Sequence, residues 1–72
     1  MNNIVDRLQQ QFPTINTNEL NLFLYLCAQF SPRVITLFMS DKLENIYNKK
    51  SRLKRKIQNS NATDKEEFLN YF

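Results

Sequence analysis

Six basic side chains, Lys49, Lys50, Arg52, Lys54, Arg55 and Lys56, fall within eight consecutive residues that contain no acidic one. The rest of the chain holds four basic and seven acidic residues, so a formal charge of +3 over 72 residues conceals a remainder at minus 3. Charge focused in this way is the electrostatic footprint of a phosphate-binding surface, with a solvated helix face as its plain alternative. Asn48 and Ser51 interleave with the cations. An Asn amide can bond adenine at two points and an Arg guanidinium can do the same to guanine, whereas lysine ammonium groups suit phosphate oxygens. Asn48, Arg52 and Arg55 are therefore candidate base contacts. Lys49, Lys54 and Lys56 are candidate phosphate contacts, joined by Arg33 further up the chain.

Other chemistries are poorly supplied. With no histidine and a single cysteine, Cys27, the chain has no internal disulfide, no cysteine zinc site and no histidine general base. The seven carboxylates form no paired set in an apolar setting, so no enzymatic activity, metal or cofactor is expected. Cys27 sits in an apolar run without basic neighbours and reads as a small buried hydrophobe. The longest apolar stretch, Leu22 to Ala28, has seven residues, against the ~20 a membrane span needs. No signal pattern opens the chain. A cytoplasmic location without membrane contact is expected.

The elements that must position these residues read as helices. Hydrophobic residues at 42%, nine aromatics and the absence of glycine favour a folded all-α domain over a hairpin-rich one, with Asn and Ser left to end helices. Over residues 3 to 12, Ile4, Leu8 and Phe12 recur at i, i+4 and i+8 until Pro13 closes the pattern. Asn16 and Glu19 have capping-box spacing ahead of Leu20, Phe23, Leu24, Cys27 and Phe30, the expected core face of a second helix flanked by Leu22 and Leu26. Ser31 and Pro32 open a third helix to about Met39, with Val34, Ile35, Phe38 and Met39 as its apolar stripe.

Asp41 and Glu44 repeat the capping-box spacing for a fourth helix over residues 43 to 57, held by Ile46, Leu53 and Ile57. Thr63 and Glu66 do so again before Phe68, Leu69, Tyr71 and Phe72. The expected architecture is a single domain, 1–72, a small bundle of four to five helices containing a helix-turn-helix. Residues 1 to 13 read as the end of a preceding helix or linker.

The stretch SPRVITLFMSDKLENIYNKKSRLKRKI resembles the LuxR-type helix-turn-helix at the C-terminus of many bacterial transcription regulators. That pattern runs S, x, K/R, E, I, A, x, x, L, G, I, S, then T-V. Ser31, Arg33, Ile35, Met39 and Ile46 match it in register without a gap. IYNKKSRLKRKI is closest to a variant with Tyr after the buried Val/Ile, then a basic residue and S-R-L or S-R-I. The likeness extends to NTNEL before the first core helix and to KEEFLNYF at the end.

Val34 stands where the pattern has an acidic residue, Thr36 for Ala, Ser40 for the turn Gly and Asp41 for the buried turn Ile. Leu43 is expected to supply the apolar contact that Asp41 cannot, and Asp41 to cap the following helix. The resemblance implies that Tyr47, Asn48 and Ser51 face bases.

Together these features lead to an expectation of sequence-specific binding to double-stranded DNA. Helix 43 to 57 would lie in the major groove, two copies would bind as a homodimer, and a sensor or regulatory region would precede the domain in the natural protein. The alternative reading is a helical protein-interaction or dimerisation module of a larger sensor, working through its aromatic-rich last helix and its first helix.

Overall fold

The computed structural model describes residues 3 to 72, so the first two residues of the expected 1–72 domain lie outside the described part. Five helices follow one another: α1 (Asn3–Gln11), α2 (Thr17–Cys27), α3 (Pro32–Met39), α4 (Leu43–Gln58) and α5 (Lys65–Leu69). No strand occurs among the described residues. α4 packs against α2, α3 and α5, and α1 packs against α2, within a body of 31 × 27 × 20 Å.

Each helix contributes at least one residue to a single core: Ile4, Leu8, Phe12, Leu22, Phe23, Leu26, Ile35, Ile46, Leu53, Ile57 and Phe68. Phe23 lies at its centre, fully enclosed, with its ring 5.9 Å from Phe68 in an edge-on arrangement and 6.0 Å from both Tyr71 and Phe72. Such ring pairs add about 0.5–1.5 kcal/mol each beyond the area they remove from water. The aromatics of the last helix and the Ile4, Leu8 and Phe12 face of the first thus turn inward. Of the two faces considered for a partner in the alternative reading, Phe68 and the Ile4, Leu8 and Phe12 face are buried in the core, and Leu69, Tyr71 and Phe72 are half-buried against it.

Two of the four expected caps form. Asn16 accepts from the Glu19 amide at 2.7 Å while the Glu19 carboxylate accepts from the Asn16 amide at 3.1 Å, a complete capping box. Ser31 Oγ accepts from the Val34 amide at 3.3 Å with Pro32 at the first helical position. The boxes expected from Asp41 with Glu44 and from Thr63 with Glu66 do not form: Lys42 and Asp64 are the cap residues and neither makes a side-chain cap bond. Both aspartates serve more distant partners. Asp64 accepts from Arg7 at 2.9 Å and from Gln11 at 2.8 Å, and Arg7 also grips Glu67 with both its terminal nitrogens, which ties α1 to α5.

The core face of α2 also differs from the expected one. Leu22, Phe23 and Leu26 are buried, Leu20 and Cys27 are half-buried against them, and Leu24 and Phe30 are exposed. A helix apolar nearly all round does not announce which side it buries, and here α1 and α4 decide it. On α3, Ile35 is buried and Met39 packs on the core, whereas Phe38 and Leu37 face outward.

Without glycine, α2 and α3 end on residues in the left-handed region, Gln29 (φ 65°) and Ser40 (φ 51°). Both make the bonds of a Schellman-type end: Phe30 N–H donates to Tyr25 O and Asp41 N–H to Thr36 O, each at 3.2 Å.

Candidate nucleic-acid interface

Ten of the sixteen residues of α4 are Leu, Glu, Lys, Arg or Gln, all good helix formers, and it has neither Gly nor Pro. At 1.5 Å per residue it is about 24 Å long, most of the width of the domain. Glu44 in its first turn and Arg55 and Lys56 in its last complement the helix dipole. Ile46, Leu53 and Ile57 are fully buried and define the inner sector. The opposite sector follows from 100° per residue: Asn48, Ser51, Arg52 and Arg55 recur at i, i+3, i+4 and i+7, and all four are exposed. Tyr47, half in solvent, and exposed Lys54 share one flank of that face.

The other flank is different. Lys49 and Lys56, expected to reach phosphates, are each half-buried in an ion pair: Lys49 Nζ to Asp41 Oδ2 at 2.6 Å and Lys56 Nζ to Glu19 Oε1 at 3.3 Å. Asp41 accepts in addition from Asn45 Nδ2 and from the Lys42 amide, each at 2.8 Å. The Lys49 hydrogen bond first, then those of Asn45 and Lys42, hold the Asp41 carboxyl down at about 2. Lys50, Arg52, Lys54 and Arg55 have no ion-pair partner among the described residues, and neither does the exposed Arg33 in the first turn of α3.

α3 and α4 are joined by three residues, Ser40, Asp41 and Lys42. The left-handed Ser40 turns the chain, with its own amide and that of Asp41 both bonded to Thr36 O. Asp41 therefore does not cap α4. It braces the turn from outside, spanning from Lys42 to Lys49 across two turns of helix. Leu43 is half-buried, and Met39 is the residue at this corner that packs on the core cluster. A shallow cleft between the start of α2 and the middle of α4 is lined by Asn16, Asn18, Glu19, Leu22, Lys49 and Arg52, which sets the α2 end beside the polar face.

Thus Asn48, Ser51, Arg52 and Arg55 share one exposed face, Tyr47 and Lys54 flank it, and Lys49 and Lys56 are drawn toward acidic partners on its other side. Sequence reasoning did not find the two carboxylates that hold these lysines. The Asp41 to Asn45 spacing of i, i+4 was a usable signal. Nothing in the sequence pairs Lys56 with Glu19, 37 residues away.

The arrangement offers hydrogen-bond donors and acceptors on the exposed face of a helix whose other face is anchored in the core, with positive charge concentrated along it. It encloses no site: among the described residues there is no group of three or more potential ligands placed to hold a metal ion, and no helix is long and apolar enough to cross a membrane. Comparisons with protein-family models, with curated proteins and with solved structures return no match for this chain.

Proposed function

We propose that the chain binds double-stranded DNA in a sequence-specific manner, as a LuxR-like output domain of a bacterial transcription regulator, with α4 as the recognition helix. The observation that carries this reading is the division of α4 between a fully buried apolar sector and an exposed face of Asn48, Ser51, Arg52 and Arg55. The major groove, about 12 Å wide, admits one helix anchored in this way, with its polar face toward the base edges. The three-residue connection from α3 supports the same reading, since a second helix across so short a turn is how helix-turn-helix proteins present the reading element.

Tyr47, Asn48, Ser51, Arg52 and Arg55 are assigned to bases, and Arg33, Lys49, Lys54 and Lys56 to phosphates. Lys49 and Lys56 reach the backbone only by leaving or sharing their carboxylates. The reading includes action as a cytoplasmic homodimer joined to an N-terminal sensor or regulatory region, without catalysis or cofactor. A binding-site selection from randomised duplexes tests it: recovery of an enriched motif is expected, and recovery of none removes the sequence-specific part. Protein interaction is the second reading, and the exposed Phe30, Leu37 and Phe38 favour it. The two readings are compatible on one domain.

A further inference from the structure

The junction of α2 and α3 carries the most exposed apolar surface of the described residues. Phe30 is 42% exposed, Phe38 51% and Leu37 78%, and Tyr25 and Val34 are half-buried beside them. The three rings form a cluster: Tyr25 to Phe38 and Phe30 to Phe38 are 5.1 Å apart between centroids, and Tyr25 to Phe30 is 6.4 Å. Val34, Leu37 and Phe38 lie at i, i+3 and i+4 on the outer side of α3. We propose that this face is a self-association surface on which a second copy of the chain docks through Tyr25, Phe30, Val34, Leu37 and Phe38 across a two-fold axis.

Two features select a second copy as the occupant. The first is area. With a large apolar side chain offering on the order of 150–250 Å², these exposures sum to roughly 400 Å² per copy. Two copies would hide about 800 Å², and at about 60% apolar content that corresponds to an interface near 1,300 Å², inside the range of specific complexes. The second is charge. From Leu20 to Ser40 the only charged residue is Arg33, one turn before Leu37, and the charges bordering Leu37 at the α3–α4 turn, Asp41 and Lys42, are of opposite sign, so two copies meet here with far less repulsion than two α4 helices would impose. The inference deepens the homodimer part of the proposed function by naming the surface, and it rests on that reading only for what the dimer is used for.

Sedimentation equilibrium without nucleic acid tests it. The chain should pass from monomer to dimer with a dissociation constant on the order of 10 µM, at the weak end for interfaces of this size. Leu37→Asp, at a position that is mostly solvent, should weaken dimerisation at least about tenfold while melting like the parent at concentrations below that dissociation constant, where both are monomers, and still binding random duplex. If Leu37→Asp melts lower, Leu37→Gln gives the same comparison without a new charge. A parent chain that stays monomeric to about 500 µM overturns the proposal and leaves the face to a different protein. A dimer that both variants leave intact overturns it as well, because the contact then lies elsewhere. Loss of DNA binding by the parent chain would remove the proposed function and leave this measurement unaffected.

Discussion

Removing one basic side chain at a time from α4 should change the salt dependence of DNA binding in a way fixed by the ion pairs. Each phosphate neutralised by a cation contributes about −0.9 to the slope of log affinity against log salt. On a random duplex, Arg52 and Arg55 have no cognate base to read and fall on phosphates instead. Lys50, Arg52, Lys54 and Arg55 are the α4 cations without an ion-pair partner among the described residues, and Lys49 and Lys56 are held by Asp41 and Glu19. Four contacts give a slope of about −3.6, and Arg33 would bring it to about −4.5. A fourfold rise in salt, from about 50 to 200 mM, then weakens binding roughly 150- to 500-fold.

Fluorescence anisotropy on a random duplex at several salt concentrations reads this directly. Lys54→Ala should flatten the slope by about 0.9, and Glu19→Gln, which releases Lys56, should steepen it by a similar amount. A slope shallower than about −2 would refute phosphate binding by this face. A parent slope of about −5.5 or steeper, unaltered by Glu19→Gln, would refute the claim that the two ion pairs persist on the duplex.

Asn48→Ala should cost about 1–3 kcal/mol on a selected site and much less on random DNA, whereas Lys54→Ala should weaken both alike; equal losses for the two would make α4 an electrostatic anchor. Phe23→Ala, which empties the centre of the core, should destabilise by about 3–5 kcal/mol, and Ile46→Ala by about 2–5; thermal melting within a degree or two of the parent would mean the faces are misassigned. Ser40→Gly should relieve the left-handed strain at the α3 end and raise the melting temperature by about 2–4 °C, an unchanged value counting against that strain.

Acid should weaken the domain modestly. Asp41, Asp64 and Glu67 are held below their ordinary values by hydrogen bonds, chiefly from Lys49, Gln11 and Arg7 respectively. The unfolded chain therefore binds more protons as pH falls, so the contribution of these groups to stability is full above about pH 5 and is lost as pH falls through their lowered values, down to about 2 for Asp41. Without histidine, melting should be flat from about pH 5 to 8, and Asp41→Asn should soften the acid loss.

The parts of this fold legible in the sequence were those governed by local rules. The i, i+4, i+8 spacing of Ile4, Leu8 and Phe12, the Asn16 capping box, the Ser31–Pro32 start and the polar sector of α4 all follow from residues within a turn or two of one another. What escaped depends on partners distant in the chain. Thr63 and Glu66 have capping-box spacing, but the helix starts after Asp64, whose carboxylate bonds Arg7 and Gln11 more than 50 residues away. Leu24 and Phe30 look like core residues in an apolar helix, and the docking of α1 and α4 on its other side leaves them in solvent. Of the candidate interface, the outward face of α4 was readable from its periodicity, and the pairing of Lys56 was not.

The tie between α1 and α5 also bears on the order in which the chain acquires its shape. Arg7 and Gln11 meet Asp64 and Glu67 across 53 to 60 residues. Closing a loop of that length costs about 3–4 kcal/mol of chain entropy. Solvent-facing ion pairs are too weak to drive such a closure. Burial of Leu8 and Phe68 must drive it, and that needs α2, α3 and α4 already collapsed into a surface that can receive them. The α1–α5 tie is therefore expected to close after the helices it spans have packed, and the amide hydrogens beside it to exchange ahead of those in the middle of α4.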